Sequence, residues 1–144
     1  MKLQGDSFSC GAVSLSNAFH LMGVDISVDD AKRIAHTTRK MGTTRSGLIR
    51  GISDSGFRAT PYHTRNPDNA WKWLRRHTPD SAIIALVDNQ EHWIVLSKAI
   101  ADKIILIDGS PNDGDNGVSI VDKQSALSRM NYSGHFYAIR VSKF

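Results

Sequence analysis

The sequence predicts an α+β domain in which a helical first half is followed by a sheet-forming second half. Up to residue 80, apolar residues recur at three- and four-residue steps between residues that typically begin or end helices. After residue 80, short runs rich in β-branched residues replace this pattern. The chain has 144 residues, the usual size of one domain. We therefore expect residues 1–144 to form a single domain.

Four helices are predicted in the first half. The first runs from Cys10 to Met22, where apolar residues share one face and Gly23 is suited to end the helix. Ser27 is a typical N-cap for a second helix over residues 27–39. A third helix over residues 43–56 ends at a glycine, and a fourth, over residues 66–77, has proline at its first helical position.

The second half predicts four strands and one helix. Strands are expected over residues 81–88, 92–99, 102–109 and 135–143, and a helix over residues 122–130. A turn near residues 99–103 would pair the second and third strands antiparallel. The predicted core joins the first helix to this sheet and consists of Val13, Leu15, Phe19, Ile84, Leu86, Ile94, Leu96, Ile105 and Ile139.

Composition excludes several classes of function. The net charge is +4, but the basic residues are scattered, and the densest cluster, Trp71 to His77, fits an amphipathic helix better than a nucleic-acid groove. We therefore expect a solvated helix face there, and nucleic-acid binding through Trp71 to Arg76 remains the alternative. One cysteine cannot form an internal disulfide, and neither a signal peptide nor a membrane-spanning run is present. We expect a cytoplasmic protein with no membrane partner.

The loop at residues 108–117 is acidic enough to raise the question of calcium. The positions of Gly114 and Ser119 do not supply the glycine and terminal glutamate that an EF-hand loop requires. One cysteine and scattered histidines also give no zinc-binding spacing. We therefore expect neither a metal nor a cofactor.

Cys10, the only cysteine, stands at the start of the first predicted helix. Free N–H groups and the positive end of the helix dipole stabilise a thiolate at that position, which makes Cys10 a candidate nucleophile. His92 begins a strand, and Asp108 ends the next one. If the two strands form a hairpin, His92 and Asp108 lie side by side as a base and the carboxylate that orients it.

These residues resemble a known set of motifs. The set consists of Gln4, Ser9-Cys10-Gly11, His92-Trp93-Ile94-Val95 and Ile107-Asp108, together with a Gly-Thr…Leu…Gly-Phe segment over residues 42–57. In this order they resemble the papain-like cysteine peptidases, and most closely the bacteriocin-processing family, family thirty-nine, whose members remove double-glycine leader peptides. Ser9 and Gly109 depart from the pattern, which often has Asp and Pro there. No transporter segment accompanies the motifs, so we expect a free-standing member.

The resemblance implies a papain-like fold, with an N-terminal helical half packed on a C-terminal antiparallel sheet. It also implies a Cys10-His92-Asp108 triad, and it assigns Gln4 as the side-chain donor of the oxyanion hole. The expected function is thiol-dependent hydrolysis of a peptide or isopeptide bond in a peptide or protein substrate. An acyltransferase, a deamidase or a non-catalytic binding or inhibitory protein remains an alternative, because the same fold carries each of them. The sequence does not indicate an oligomeric state.

Overall fold

The computed structural model describes residues 1–6, 8–110 and 116–144. Its elements are α1 Cys10–Leu21, α2 Val28–Ile34, α3 Arg45–Asp54, β1 Arg58–Thr64, α4 Pro67–His77, β2 Ala82–Val87, β3 His92–Ile100, β4 Lys103–Ile107, β5 Val118–Asp122, α5 Lys123–Met130 and β6 Phe136–Ser142. The predicted α+β class is confirmed. The loop considered for calcium lies partly outside the described residues, including Gly114. No helix within the described ranges is long and apolar enough to cross a membrane.

The six strands form one sheet in the order β1-β6-β2-β3-β4-β5, with every neighbouring pair antiparallel. Helices α1, α2 and α3 pack against one face, and α4 and α5 pack against the other. The prediction of a helical half packed on the sheet is therefore confirmed, with three of its helices on one face and α4 on the other. Strand β2 is buried along its whole length, as expected for a central strand covered on both faces.

Eight of the nine predicted core residues are buried, and Ile105 is only partly buried. Leu15 and Phe19 join α1 to Ile84 and Leu86, as predicted. Two assignments are wrong, because Ile94 and Leu96 face the α4 and α5 side of the sheet. A strand that is apolar on both faces gives no alternation from which its orientation can be predicted.

Strands β1 and β5 were not predicted, and both lie at the edges of the sheet. Strand β1 contains Pro61 and several exposed positions. Proline removes a ladder donor and is tolerated mainly at a sheet edge, so its presence argued against a strand. Strand β5 has only five residues, too few for a clear pattern.

Helix α2 ends at Ile34, five residues before the predicted end, and Ala35 is its C-cap. His36 has a φ of 54°, which a continuing helix cannot accommodate. Helix α3 packs directly against this end, since a Cβ on Gly47 would lie 2.3 Å from the Ala35 carbonyl oxygen. Glycine at position 47 therefore allows the backbone of α3 to approach α2.

The basic cluster at Trp71–His77 lies in α4. Trp71 is buried against the sheet, and Trp73 stacks on Tyr62 of β1 with ring centroids 4.4 Å apart. Both indole rings are thus used in packing, as the amphipathic-helix interpretation of this segment requires.

Candidate active site

Cys10 is the first residue of α1, and its side chain is half-buried. Its neighbour Gly11 packs closely against Thr43, because a Cβ on Gly11 would lie 2.4 Å from the Thr43 Cβ. The Thr43 carbonyl in turn accepts a hydrogen bond of 3.2 Å from the Trp93 indole N–H. One turn after Cys10, the Ser14 hydroxyl donates to the Trp93 carbonyl at 3.0 Å. These contacts fix the start of α1 against the start of β3.

His92 and Asp108 come together through the β3–β4 hairpin. The strands pair antiparallel, with Val95 opposite Ile107, so the start of β3 lies beside the end of β4. His92 Nε2 lies 2.7 Å from Asp108 Oδ1. Their side chains are only 14% and 12% exposed, respectively, so solvent screens this contact weakly.

The Cys10 thiol lies beside the His92 ring, near enough for the imidazole to lower the pKa of Cys10 and for the thiol to raise that of His92. Since Nε2 already faces Asp108, Nδ1 is the nitrogen available to the sulfur. The structure thus brings the three predicted residues into one chain of contacts, from sulfur through imidazole to carboxylate. Such an arrangement can activate a thiol as a nucleophile, with the histidine as the base and the carboxylate as the group that orients it.

The pKa values of the three groups are shifted in the directions that favour their charged forms. Burial opposes ionisation in each case, but it is outweighed. Hydrogen bonds with Asp108 and Cys10, together with their charges, raise the pKa of His92 to about 9. The hydrogen bond and charge of His92, with backbone N–H groups, lower the pKa of Cys10. Hydrogen bonds from His92 and the Ser110 amide, helped by Arg129, lower the pKa of Asp108 to about 2.

Gln4 lies beside the end of β4. Its backbone N–H donates to the Gly109 carbonyl at 2.7 Å, and its side-chain Nε2 donates to the Asp6 carbonyl at 2.8 Å. An amide nitrogen carries two hydrogens, so one remains for a ligand. The structure therefore places the predicted oxyanion donor in the same region as the other three residues.

Ser110 was not predicted, yet it contacts three of the site residues. Its N–H donates to Asp108 Oδ1 at 2.9 Å, and its hydroxyl lies 3.3 Å from His92 Nε2. The hydroxyl also donates to Gln4 Oε1 at 3.4 Å. Ser110 follows the predicted Asp108-Gly109 pair directly, and that proximity is the signal by which it could have been found.

Arg129 of α5 was also missed. Its guanidinium donates to both carboxylate oxygens of Asp88, at 3.0 and 2.6 Å, and to Asp108 Oδ2 at 3.2 Å. Asp88 follows β2, so this contact joins α5 to the β2–β3 turn and to the end of β4. Only the fold brings these three segments together, and no motif in the sequence points to the contact.

The two departures from the family pattern are both buried. Gly109 lies against α1, where a Cβ would come within 2.5 Å of Val13 Cγ1. Glycine therefore allows the end of β4 to approach the helix that carries Cys10. Ser9, the N-cap residue of α1, is 1% exposed.

A cleft of about 400 Å³ opens beside Cys10. Its lining residues are Phe8, Cys10, Arg39, Lys40, Met41, Gly42, Thr43, Gln90, Glu91 and Trp93. A larger cavity, of about 610 Å³, is lined by none of the four predicted site residues. Among the described residues, no group of three or more His, Cys, Asp and Glu side chains is placed to hold a metal ion.

Comparison with known families places this geometry in context. The model of the peptidase C39 family matches residues 1–137. The chain belongs to the peptidase C39 family. The resemblance inferred from the motifs is thus confirmed. A comparison with curated protein sequences finds no significant match.

Solved structures of C39 peptidase domains share this fold. The peptidase domain of Streptococcus ComA, a bifunctional ABC transporter, superposes with a TM-score of 0.73 at 18% identity, over 99% of this chain and 97% of that one. A double-glycine-motif protease from an AMS/PCAT transporter, solved with its leader peptide, gives 0.70 at 14% identity over 97% and 89%. The Streptococcus mutans ComA domain gives 0.65 at 17% identity over 99% and 98%.

Proposed function

We propose that this C39 family member is a cysteine peptidase in which Cys10 is the nucleophile, His92 the general base and acid, and Asp108 the residue that orients His92. One observation carries the proposal. His92 Nε2 lies 2.7 Å from the buried Asp108 carboxylate, and the same imidazole lowers the pKa of the Cys10 thiol at the start of α1. A histidine that merely satisfied its own polar atoms would not need a thiol on one side and a carboxylate on the other.

The shifted pKa values support a thiolate–imidazolium pair as the resting state. The pKa of Cys10 is lowered, and that of His92 is raised to about 9, so both shifts favour transfer of the thiol proton to the imidazole. The Cys10 thiolate attacks the carbonyl carbon of the scissile bond, and the carbonyl π electrons move onto oxygen. Gln4 Nε2 and the backbone N–H of Cys10 are the proposed donors to that oxyanion.

His92 then donates its proton to the leaving amine as the C–N bond breaks, which leaves a thioester on Cys10. In the second half, neutral His92 takes a proton from water, and the hydroxide attacks the thioester carbonyl. The C–S bond breaks, the new acid leaves, and the thiolate–imidazolium pair is restored. Asp108 stabilises the imidazolium and stays ionised throughout, in keeping with its low pKa.

The proposed substrate is a peptide that carries a double-glycine motif before the scissile bond. Family membership supports this class of substrate, and so does the fold shared with a double-glycine-motif protease that was solved with a leader peptide. The cleft beside Cys10 combines the apolar side chains of Phe8, Met41 and Trp93 with the cations Arg39 and Lys40. It can therefore receive an extended chain with both apolar and acidic side chains.

The test is a panel of leader-like peptides that differ only in the two residues before the scissile bond: Gly-Gly, Ala-Ala and Val-Val. Mass spectrometry should show cleavage after Gly-Gly by the wild-type protein and none by Cys10→Ala. An N-terminal fragment that carries an added amine in place of the water of hydrolysis would instead indicate an acyltransferase, and conversion of a glutamine to a glutamate would indicate a deamidase. Equal products from wild type and Cys10→Ala would refute the proposal.

A further inference from the structure

Arg129 connects the candidate triad to a separate part of the fold. Its Nε and Nη2 donate to the two oxygens of Asp88, while Nη2 also donates to Asp108 Oδ2. The backbone adds a fourth contact, because the Asp88 N–H donates to the Arg129 carbonyl at 3.0 Å. The guanidinium therefore lies between two carboxylates, and only one of them, Asp108, contacts His92.

The turn that begins at Asp88 has a strained backbone conformation. Asp88, Asn89 and Gln90 have φ values of 54°, 60° and 64°. Three consecutive non-glycine residues in left-handed conformation are unusual, and such strain persists only where surrounding contacts hold it. Two residues later the chain enters β3 at His92. The contacts of Arg129 with Asp88 are thus close, along the chain, to the residue that must face Cys10.

We propose that Arg129 is a positioning residue whose guanidinium ties the carboxylate of Asp108 to the β2–β3 turn and sets how much negative charge Asp108 presents to His92. The inference rests on the proposed function of His92 and Asp108. Arg129 touches neither the thiol nor the expected position of a substrate. It acts through Asp108 and through the turn that leads into His92.

The charge of Arg129 affects the protonation of His92 in a definite direction. The groups that face His92 are Cys10 from α1, Asp108 and Ser110 at the end of β4, and, behind Asp108, Arg129 from α5; Glu91 precedes His92 in the chain. A cation on the far oxygen of Asp108 weakens the attraction of that carboxylate for imidazolium. Asp88 counteracts this effect, because it shares the guanidinium and offsets part of its charge.

Two substitutions should therefore shift the titration of His92 in opposite directions. Arg129→Gln removes the cation, while the Ser110 amide still holds Asp108 Oδ1, so His92 should lose its proton at a pH about 0.5 higher. Asp88→Asn removes the competing carboxylate and leaves Arg129 to act on Asp108 alone. The midpoint of the His92 titration should therefore fall by a similar amount. Arg129→Lys keeps the charge, and the midpoint should stay near that of wild type.

The measurement is an NMR titration of the His92 ring in the full chain, with thermal unfolding to verify that each variant is folded. Peptide cleavage provides a second readout. Arg129→Lys should lower kcat several-fold with little change in KM, because an ammonium cannot reproduce the two-oxygen contact that holds the turn. Asp88→Glu keeps a carboxylate at the turn, so its His92 titration midpoint should be close to that of wild type rather than lowered as in Asp88→Asn.

The outcomes separate this inference from the proposed function. If Arg129→Gln and Asp88→Asn shift the midpoint in the same direction, or leave it unchanged, Arg129 has a structural role only and the inference is wrong. If Arg129→Gln does not fold, Asp88→Asn decides, and an unchanged or raised midpoint refutes the inference. If instead Cys10 is alkylated equally fast in wild type and in His92→Ala, the proposed function itself fails.

Discussion

His92 Nε2 lies 2.7 Å from Asp108 Oδ1 across the β3–β4 hairpin, although the two residues are 16 positions apart in the chain. The contact depends on the register that sets Val95 opposite Ile107. A shift of that register by one residue would turn the side chains of one strand to the opposite face. The register of the β3–β4 hairpin therefore determines whether His92 can contact Asp108.

Loss of His92 should convert Cys10 into an ordinary thiol. In the wild type, iodoacetamide should alkylate Cys10 at a lower pH than it alkylates a free thiol, because the pKa of Cys10 is lowered. In His92→Ala the hydrogen bond and the charge are gone while burial remains, so alkylation should require a higher pH. Mass-resolved alkylation rates between pH 4 and 10 measure the difference. Replacement of His63, an exposed histidine on β1, is the matched control and should leave the profile unchanged.

The stability of the fold should depend on pH in two separate windows. The pKa of His92 rises from its ordinary 6.5 to about 9 on folding, so its contribution is complete below pH 6.5 and is lost as the pH rises through 9. The pKa of Asp108 falls from 3.8 to about 2, so its contribution is complete above pH 3.8 and is lost as the pH falls through 2. Urea unfolding of wild type and Asp108→Asn across pH 2–10 tests both. If the difference in the free energy of unfolding between wild type and Asp108→Asn did not vary with pH, the pKa shifts of His92 and Asp108 would not be the source of the pH dependence.

Gln4→Ala should separate turnover from thiol reactivity. The proposed oxyanion forms only along the reaction path, so loss of its side-chain donor should lower kcat by about 100- to 1,000-fold. Alkylation of Cys10 should remain nearly unchanged, because the ground-state thiolate does not need that donor. Gln4→Glu keeps the shape but adds a negative charge, and it should be at least as impaired. If Gln4→Ala turned over peptide as fast as wild type, the donor would have to be sought among backbone amides.

Two isoleucines on the sheet offer a matched test of the core. Ile139 on β6 is fully buried, whereas Ile120 on β5 is 73% exposed. Ile139→Ala should lower the free energy of unfolding by about 2–5 kcal/mol, and Ile120→Ala should change it by less than about 0.5 kcal/mol. Denaturant unfolding of the two variants gives the comparison. Similar losses at both positions would mean that the edge strand β5 is covered in solution.

The residues proposed for the triad could be selected from the sequence because their chemistry restricts their type and their positions. A nucleophilic cysteine is favoured at the start of a helix, where Cys10 lies. A base and the carboxylate that orients it must be adjacent, as His92 and Asp108 are across a hairpin. Arg129 and Asp88 could not be selected in the same way, since they are 41 positions apart and lie in a helix and a turn that only the fold brings together. Ile94 and Leu96 were placed on the wrong face because β3 is apolar on both sides.

The order of strands also limits when the sheet can be completed during synthesis of the chain. Strand β6 lies between β1 and β2. It pairs with β1 along residues 136–142 and with β2 along residues 138–141. A nascent chain that has not yet released β6 from the ribosome cannot join β1 to the rest of the sheet, although its cysteine was made first. Such long-range pairing also slows folding. The sheet against which α1 and Cys10 pack is therefore complete only after residue 142 has emerged.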